Sequence, residues 1–254
     1  MQLDLGVPTR KTCSECGMEF VPANEEDATL HRMYHYMNSE GIELGKAFNK
    51  SAMKWAYELP HIEGSVVVVD RKISPPARKV VQKILGTVNK ELSAVEIDDA
   101  TLWSQTTLED KGTASEIRQS EAERRNDHKS DRYKVFLHVN NGRCVGLCLA
   151  ERIIKARRVK GDSNQSGSAS KSSSIQTEQT PVPAVVGVSR IWTCKTSRRK
   201  GIANNLLECV MSQFIYGMEI EKDDLAFSQP TESGCHLARS WYGEDSRWLV
   251  YDEA

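Results

Sequence analysis

The sequence of 254 residues carries 34 Lys and Arg against 35 Asp and Glu, which gives a formal net charge of −1. This balance excludes recognition of nucleic acid or membrane surfaces through overall charge, so any electrostatic recognition has to be local. Apolar side chains make up 39% of the residues, enough for a core, but the apolar runs are too short to span a bilayer.

Four residues near the N-terminus have the order and spacing of a zinc ligand set. Cys13 and Cys16 are separated by two residues, and His31 and His35 are placed to share one face of a helix. Two thiolates and two imidazoles are typical of a tetrahedral zinc site, although the 14-residue gap between the pairs exceeds the common finger spacing. We predict that these four residues bind zinc; the alternative is two unrelated surface pairs. The other five cysteines are scattered in apolar contexts, which favours a reduced intracellular protein over a disulfide framework.

The predicted zinc finger and its linker occupy residues 1–48. In a finger that reads DNA, the start of the helix carries side chains that contact bases and phosphates. Here it carries Glu25, Glu26 and Asp27, whose charges repel phosphates. We therefore expect a structural or protein-contacting finger without sequence-specific DNA binding. We also expect zinc to matter more to the finger than to the rest of the chain.

Regular elements follow in the predicted second domain, residues 49–254. Four consecutive valines, residues 66–69, predict a buried strand. Pro75 marks the start of a helix with apolar residues at helical spacing, which are Val80, Val81, Ile84, Leu85, Val88 and Leu92. Two apolar runs flank a favoured hairpin turn, Asn140, Asn141 and Gly142, and a last strand is expected near Trp248. This order predicts an α/β (α+β) domain with a mixed, mostly antiparallel sheet flanked by helices.

A long polar segment interrupts these elements. Residues 160–183 are rich in Ser, Gly, Gln and Thr and show no apolar periodicity. Such a segment buries too little apolar surface to offset the entropy of ordering it. We therefore predict a disordered insertion over residues 156–183.

Residues 185–210 change from an apolar, β-branched run to amphipathic helical spacing through a cluster of cations. Arg198, Arg199 and Lys200 lie directly before Gly201, where the predicted strand gives way to the helix. A glycine turn at a helix N-terminus presents free backbone N–H groups and the positive end of the helix dipole, which together form an anion site. The six residues 198–203 resemble the turn that holds the pyrophosphate of coenzyme A in GCN5-related acetyltransferases. The alternative is a solvated helix start.

The chain from the finger to its last strand resembles the cohesin acetyltransferases, which establish sister-chromatid cohesion. After the finger motif, the stretches that carry this resemblance follow in the family's order: GVSRIW, RRKGIANNLLECV, FIYG, AFSQPT and WLVY. The resemblance implies the GCN5-related acetyltransferase fold and lysine N-acetylation of the SMC-type ATPase head of cohesin, with acetyl-coenzyme A as donor. It also implies action on chromatin in the nucleus during DNA replication, with the replication machinery and its sliding clamp as further candidate partners.

The same resemblance implies roles for individual residues. Glu208 matches a glutamate implicated as the general base, and Ser189 matches a serine that positions or protonates groups near the thioester. Acetyl-coenzyme A would be held by Ile191, Trp192, Thr193, Arg198, Arg199, Lys200, Gly201, Ile202 and Ala203. A helical wheel places Glu208 away from the apolar stripe, which is equally typical of a solvated glutamate. His236 is an alternative base, because histidine titrates near neutral pH.

One position departs from part of the family. Some relatives carry an acidic residue where this chain has Gln229, and glutamine cannot accept a proton at neutral pH. Two further hypotheses therefore stay open, namely an acetyltransferase of another amine and a non-catalytic nuclear adaptor that binds coenzyme A. Incubation with labelled acetyl-coenzyme A and a cohesin head domain separates all three.

Overall fold

A computed structural model describes residues 10–46, 48, 56–58, 62–107, 129–160, 175–243 and 248–253. The strands are β1 Lys11–Thr12, β2 Glu19–Phe20, β3 Ile42–Glu43, β4 Ala56–Glu58, β5 Ser65–Val69, β6 Gln105–Thr107, β7 Lys129–Asp131, β8 Tyr133–Asn140, β9 Arg143–Arg152, β10 Lys155–Val159, β11 Thr177–Pro183, β12 Val186–Thr193, β13 Leu225–Phe227 and β14 Leu249–Val250. The helices are α1 Glu25–Glu40, α2 Pro75–Leu92, α3 Asp99–Leu102, α4 Ile202–Gln213 and α5 Glu232–Tyr242. None of the helices in these ranges is long and apolar enough to cross a membrane.

Ten of the strands form one sheet, in the order β11-β10-β14-β13-β12-β9-β8-β5-β4, with β3 paired to β9. The strands run antiparallel except in the pairs β12–β13 and β13–β14, which are parallel. Strands β1 and β2 form a separate hairpin beside α1, and β6 pairs with β7. The predicted mixed, mostly antiparallel sheet is thus confirmed.

The hairpin and helix predicted from sequence periodicity are both present. Asn141 and Gly142 both have positive φ, at 49° and 74°, which suits a two-residue turn between the twisted strands β8 and β9. Helix α2 buries four of its predicted apolar positions, which are Val81, Ile84, Leu85 and Val88. The local apolar pattern was sufficient to predict each element, because the apolar residues lie on the face that packs on the core.

Helix α4 packs closely against β9. A Cβ atom at Gly146 of β9 would lie 2.7 Å from the Ile202 Cγ2 atom at the start of α4. Only glycine permits this approach without a shift of the helix. The contact fixes where α4 begins relative to the sheet. The residues directly before α4, 198–201, are called the cation turn below.

Strand β12 separates from β13 in the middle of its length. The pairing covers only residues 186–188 of β12. On its other side, β12 is paired to β9 with a bulge, since Val188 pairs with Ala150 and Arg190 pairs with Leu149. Ser189 is the extra residue of this bulge and stands where β12 and β13 part.

The disordered insertion predicted for residues 156–183 is wrong at both ends. Residues 155–159 form β10 and residues 177–183 form β11, and β10 pairs with both β11 and β14. Ala156 is buried in a small cluster with Leu249 and Tyr251, and Val182 packs against it. Val159 of β10 also packs against the main core, so a few apolar residues hold this sheet edge, which tolerates the prolines of β11. Residues 161–174 lie outside the described residues.

Candidate functional site

The four predicted zinc ligands lie together. Cys13 and Cys16 lie between β1 and β2, His31 and His35 lie on α1, and one potential ligand atom of each lies within 4.8 Å of the others. The Cys13 Sγ and His35 Nδ1 atoms are 3.5 Å apart. The buried His31 Nε2 atom has no hydrogen-bond partner among the described residues, as expected for an atom reserved for a metal. This donor set fits Zn²⁺.

The surroundings of the cluster prepare it for a metal. Backbone N–H groups, chiefly that of Cys16, lower the pKa of the Cys13 thiol to about 6, so this thiol readily becomes the thiolate that binds zinc. Burial raises the pKa of Cys16. The His35 Nε2 atom lies 3.2 Å from a Glu15 carboxylate oxygen, which orients the ring so that Nδ1 faces Cys13. Phe20 stacks on His31 with ring centroids 3.8 Å apart.

The finger is attached to the transferase half close to the cation turn. The Lys195 ammonium donates to the backbone carbonyl of Glu15, between the two cysteines. The Thr196 hydroxyl donates to the carbonyl of Ser39, near the end of α1. Lys195 and Thr196 belong to a short 3-10 turn that ends directly before Arg198. The finger therefore contacts the three-residue turn that directly precedes residues 198–201.

A second attachment holds the C-terminal end of α1. Arg143, in the β8–β9 hairpin, donates to the carbonyls of Glu40 and Gly41. Its guanidinium also lies 4.1 Å from the centroid of the Tyr36 ring. Directly after Gly41, β3 joins the large sheet through β9. The finger helix thus continues into the sheet without an intervening flexible segment.

The cation turn has the geometry of an anion-binding loop. Gly201 is the N-cap of α4 with φ of 80°, and Arg199 also adopts positive φ, at 61°. No side chain caps α4, so the first N–H groups of the helix are left for another partner. Arg198, Arg199 and Lys200 are all exposed around the turn. Backbone N–H groups, the helix dipole and three cations together fit a polyphosphate.

The β12 residues expected to line the cofactor differ in their surroundings. Ile191 and Thr193 are partly exposed, whereas Trp192 is buried and its Nε1–H donates to the Glu91 carboxylate at 2.6 Å. Burial raises the pKa of Glu91, and the bond from Trp192 and the charge of Arg198 offset part of that effect. Glu91 could not be found from the sequence, because a glutamate near the end of an amphipathic helix carries no signal of burial.

Ser189 is buried and lies in a polar network with the buried Arg190 and the partly exposed Glu253. Its Oγ donates to a Glu253 carboxylate oxygen at 2.7 Å and accepts from Arg190 Nη1 at 3.0 Å. The Arg190 guanidinium also donates to the same oxygen of Glu253 and to the carbonyl of Val95. The Ser228 hydroxyl, directly after β13, donates to the carbonyl of Ser189. Glu253 was missed as well, because it is 64 residues from Ser189 and only the path of the final strand joins them.

The other proposed acid–base residues lie elsewhere. Glu208 is exposed on α4 between the buried residues Leu207 and Cys209. Among the described residues, no hydrogen bond joins its carboxylate to Ser189. His236 is exposed on α5, and Gln229 is exposed beside Ser228. Glu208 as the base remains a prediction.

Two family models match the chain. Residues 182–251 match one described as ESCO1/2 acetyl-transferase, and residues 1–37 match one described as zinc-finger of acetyl-transferase ESCO. The second match agrees with the Cys₂His₂ cluster. The first covers β12, the cation turn, α4 and the final strand.

Similar proteins cover nearly the whole chain. N-acetyltransferase ECO1 of Yarrowia lipolytica is 32% identical over 96% of this chain and 71% of its own length. N-acetyltransferase eso1 of Schizosaccharomyces pombe is 31% identical over 99% of this chain, which spans only 26% of that relative. N-acetyltransferase ESCO1 of Homo sapiens is 28% identical over 95% of this chain and 26% of its own length.

A solved structure shares the fold. The xEco2 acetyltransferase domain superposes with a TM-score of 0.58 at 24% identity, over 78% of this chain and 95% of that one. The same domain bound to a K105-CoA conjugate gives a TM-score of 0.56. These comparisons establish the fold of the sheet and helices described above.

Proposed function

The chain belongs to the ESCO acetyltransferase family, and on that premise we propose that it transfers acetyl from acetyl-coenzyme A to lysines of the SMC-type ATPase head of cohesin. Acyl transfer is the activity of the family. The donor, the lysine substrate and the cohesin partner are the parts that we propose for this chain.

One observation carries the proposal. The exposed cation turn at residues 198–201 follows β12, the strand that bears Ser189, in the part of the chain that matches the acetyl-transferase model. A pyrophosphate bound at the turn would place the rest of coenzyme A within reach of the point where β12 leaves β13. Donor binding would then use the end of β12 and the chemistry its middle.

The chemistry sets requirements on the residues. A lysine side chain has a pKa near ~10.4 and is almost wholly protonated at neutral pH. It has to lose a proton and approach the thioester carbonyl, where backbone donors stabilise the developing oxyanion. Ser189 would orient the amine at the point where β12 separates from β13. Glu208 or water would take up the proton. Zinc, bound by the four finger residues, would supply structure and take no part in the transfer.

We further propose that the protein works in the nucleus on chromatin, with the replication machinery and its sliding clamp as candidate partners. The formal net charge of −1 and the acidic first turn of α1 argue for recruitment through proteins rather than direct contact with DNA. A fluorescent fusion that stayed off chromatin throughout replication would contradict this part.

The substrate is tested by mass spectrometry. Purified protein and acetyl-coenzyme A are incubated with a cohesin ATPase head, and separately with a small polyamine and with an unrelated lysine-rich protein. We expect acetylated lysines on the head and at most background on the other two. Preferential modification of the polyamine would indicate a different amine substrate. Tight binding of acetyl-coenzyme A without transfer to any of them would favour the adaptor hypothesis.

A further inference from the structure

The hydrogen bonds of Ser189 restrict what its hydroxyl can do. A serine hydroxyl has one hydrogen to donate and two lone pairs to accept with. The hydrogen goes to Glu253 at 2.7 Å, and one lone pair accepts from Arg190 at 3.0 Å. One lone pair is left for a substrate. In this arrangement Ser189 can accept a hydrogen bond from an amine, but it has no hydrogen to give to a leaving thiolate.

Glu253 is held in place by the fold. The chain of β14 runs parallel to β13, and its next residue, Tyr251, donates its N–H to the carbonyl of Phe227. The Tyr251 ring covers Gly187, where a Cβ atom would lie 2.4 Å from the ring. Two residues further along, Glu253 reaches Ser189. The tail therefore follows the face of β12 in a fixed register.

Arg190 fixes the orientation of the Glu253 carboxylate. Arg190 is 7% exposed, and its guanidinium is further bound by Asn89 and by the carbonyl of Val95. Arg190 and Ser189 donate to the same oxygen of Glu253. The guanidinium therefore holds this oxygen where the Ser189 hydroxyl donates to it, which suits a fixed hydrogen-bond acceptor.

We propose that Glu253 is a positioning residue for Ser189 in the transfer reaction. It holds the serine hydrogen, so that the free lone pair of Ser189 accepts a hydrogen bond from the substrate amine and aims it at the thioester. This inference rests on the proposed function, and it assigns to Ser189 the role of acceptor rather than that of acid for the thiolate. It also supplies a carboxylate to the site in a chain that has glutamine at position 229.

Two substitutions at this position separate positioning from proton transfer. Glu253→Gln keeps an oxygen that can accept from Ser189, and the two donors that face it favour the amide oxygen over the amide nitrogen. We expect this variant to keep kcat within about threefold of the wild type. Glu253→Met removes the acceptor and should lower kcat at least about tenfold, with the KM for acetyl-coenzyme A unchanged. If Glu253 instead accepted the substrate proton, both variants would lose activity equally.

The double variant tests whether Glu253 acts through Ser189. If it does, Glu253→Met should cost little in a Ser189→Ala background, because the hydroxyl that it positions is gone. A loss of the same factor in both backgrounds would overturn the assignment, as would full activity of Glu253→Met. Should that variant fail to fold, Glu253→Asp replaces it, since it keeps an anion for Arg190 but withdraws the carboxylate from Ser189 by one methylene.

The adjacent residue provides a matched control. Asp252 is also an acid paired to an arginine, at 2.7 Å from Arg157, but both side chains are largely exposed. Asp252→Asn should therefore leave kcat unchanged. If the wild type, Asp252→Asn and Glu253→Met were all equally active, the Glu253 assignment would be wrong but the proposed function would stand. Inactivity of the wild type on every amine would overturn the proposed function and this assignment with it.

Discussion

The acidic residues at the start of α1 stabilise the helix as well as repelling phosphates. The three acids Glu25, Glu26 and Asp27 occupy the first turn, where they interact favourably with the helix dipole. The Asn24 side chain caps this turn, and an Asp27 carboxylate oxygen accepts from the N–H of Val21 at 2.6 Å. The acids that argue against phosphate contact therefore also stabilise the helix that carries two zinc ligands.

Glu91 yields a prediction on stability and pH. Its pKa is raised in the folded protein because of burial, so ionisation costs more in the folded than in the unfolded chain. Its stabilising contribution is thus fully present below the unfolded pKa and is lost as the pH rises through the folded one. Glu91→Gln, which keeps an acceptor for Trp192, should melt roughly 2 °C higher than the wild type at neutral pH.

Calorimetric scans at several pH values check this. The difference between Glu91→Gln and the wild type should close as the pH falls towards the unfolded glutamate pKa, near ~4.3. Both proteins release zinc in acid, so only the difference between them is informative. A gap that is constant over the whole range would show that the charge of Glu91 has no part in it.

Residue roles could be predicted where the signal is local. The zinc ligands form two short spacings, so the cluster that the structure shows was predicted from the sequence. The cation turn is four consecutive residues, and its role in binding coenzyme A stays a prediction. The bond between Ser189 and Glu253 depends on the path of β14 and on a bulge in β12. No spacing encodes either feature. The same limit applies to Glu91, whose burial results from packing against Trp192.

At the scale of elements, α1 and the 3-10 turn Lys195–Ser197 link zinc to the cation turn. The contacts of Lys195 with Glu15 and of Thr196 with Ser39 join the finger to the segment directly before Arg198. The expectation was that zinc matters more to the finger than to the rest of the chain, and these contacts give zinc a route to the cation turn as well. A finger without metal would lose the geometry at Glu15 and release Lys195.

Removal of one zinc ligand tests this link. Cys16→Ala should abolish zinc binding and also weaken acetyl-coenzyme A binding about three- to tenfold, a loss of roughly 0.7–1.4 kcal/mol. Calorimetric titration measures the cofactor affinity, and metal analysis measures the zinc. Ser14→Ala, an exposed neighbour between the same cysteines, should change neither. An unchanged cofactor affinity in zinc-free protein would mean that the two parts are independent.

The strand pair β10–β11 leads to a prediction on deletion. Lys160 N–H donates to the carbonyl of Gln176 at 2.9 Å, so the pair is closed by a hydrogen bond just outside residues 161–174. Replacement of residues 161–174 by a short Gly/Ser turn should leave the Tm within about 2 °C and transfer activity within about twofold. Removal of residues 156–183 should instead lower the Tm by more than ~5 °C, because β14 then loses β10, one of its two neighbours in the sheet. Equal melting of the two variants would contradict the structural role of β10.

Periodicity explains which elements were predicted. Helix α2 and the β8–β9 hairpin are long enough for an apolar pattern to stand out, and both are present as expected. Strands β10, β11 and β13 are short or polar, and they are held by neighbours that are distant in sequence. Their pairing depends on the sheet as a whole, so composition alone suggested a loop for two of them.

At the scale of the whole molecule, the boundary between residues 1–48 and 49–254 remains a prediction about folding units. The structure crosses this boundary at Arg143, at Lys195 and Thr196, and where β3 pairs with β9. The finger is therefore positioned against the same sheet that carries Ser189.

Calorimetric titration of Gly201→Asp decides whether this fold binds acetyl-coenzyme A at the cation turn. The substitution adds a side chain and a negative charge where phosphate oxygens would approach. Gly217→Asp is the matched control, since Gly217 has a similar φ of 75° and open space around it. We predict one acetyl-coenzyme A per wild-type chain, affinity at least tenfold weaker in Gly201→Asp, about 1.4 kcal/mol, and no change in Gly217→Asp. Equal affinity in Gly201→Asp and the wild type would contradict the account.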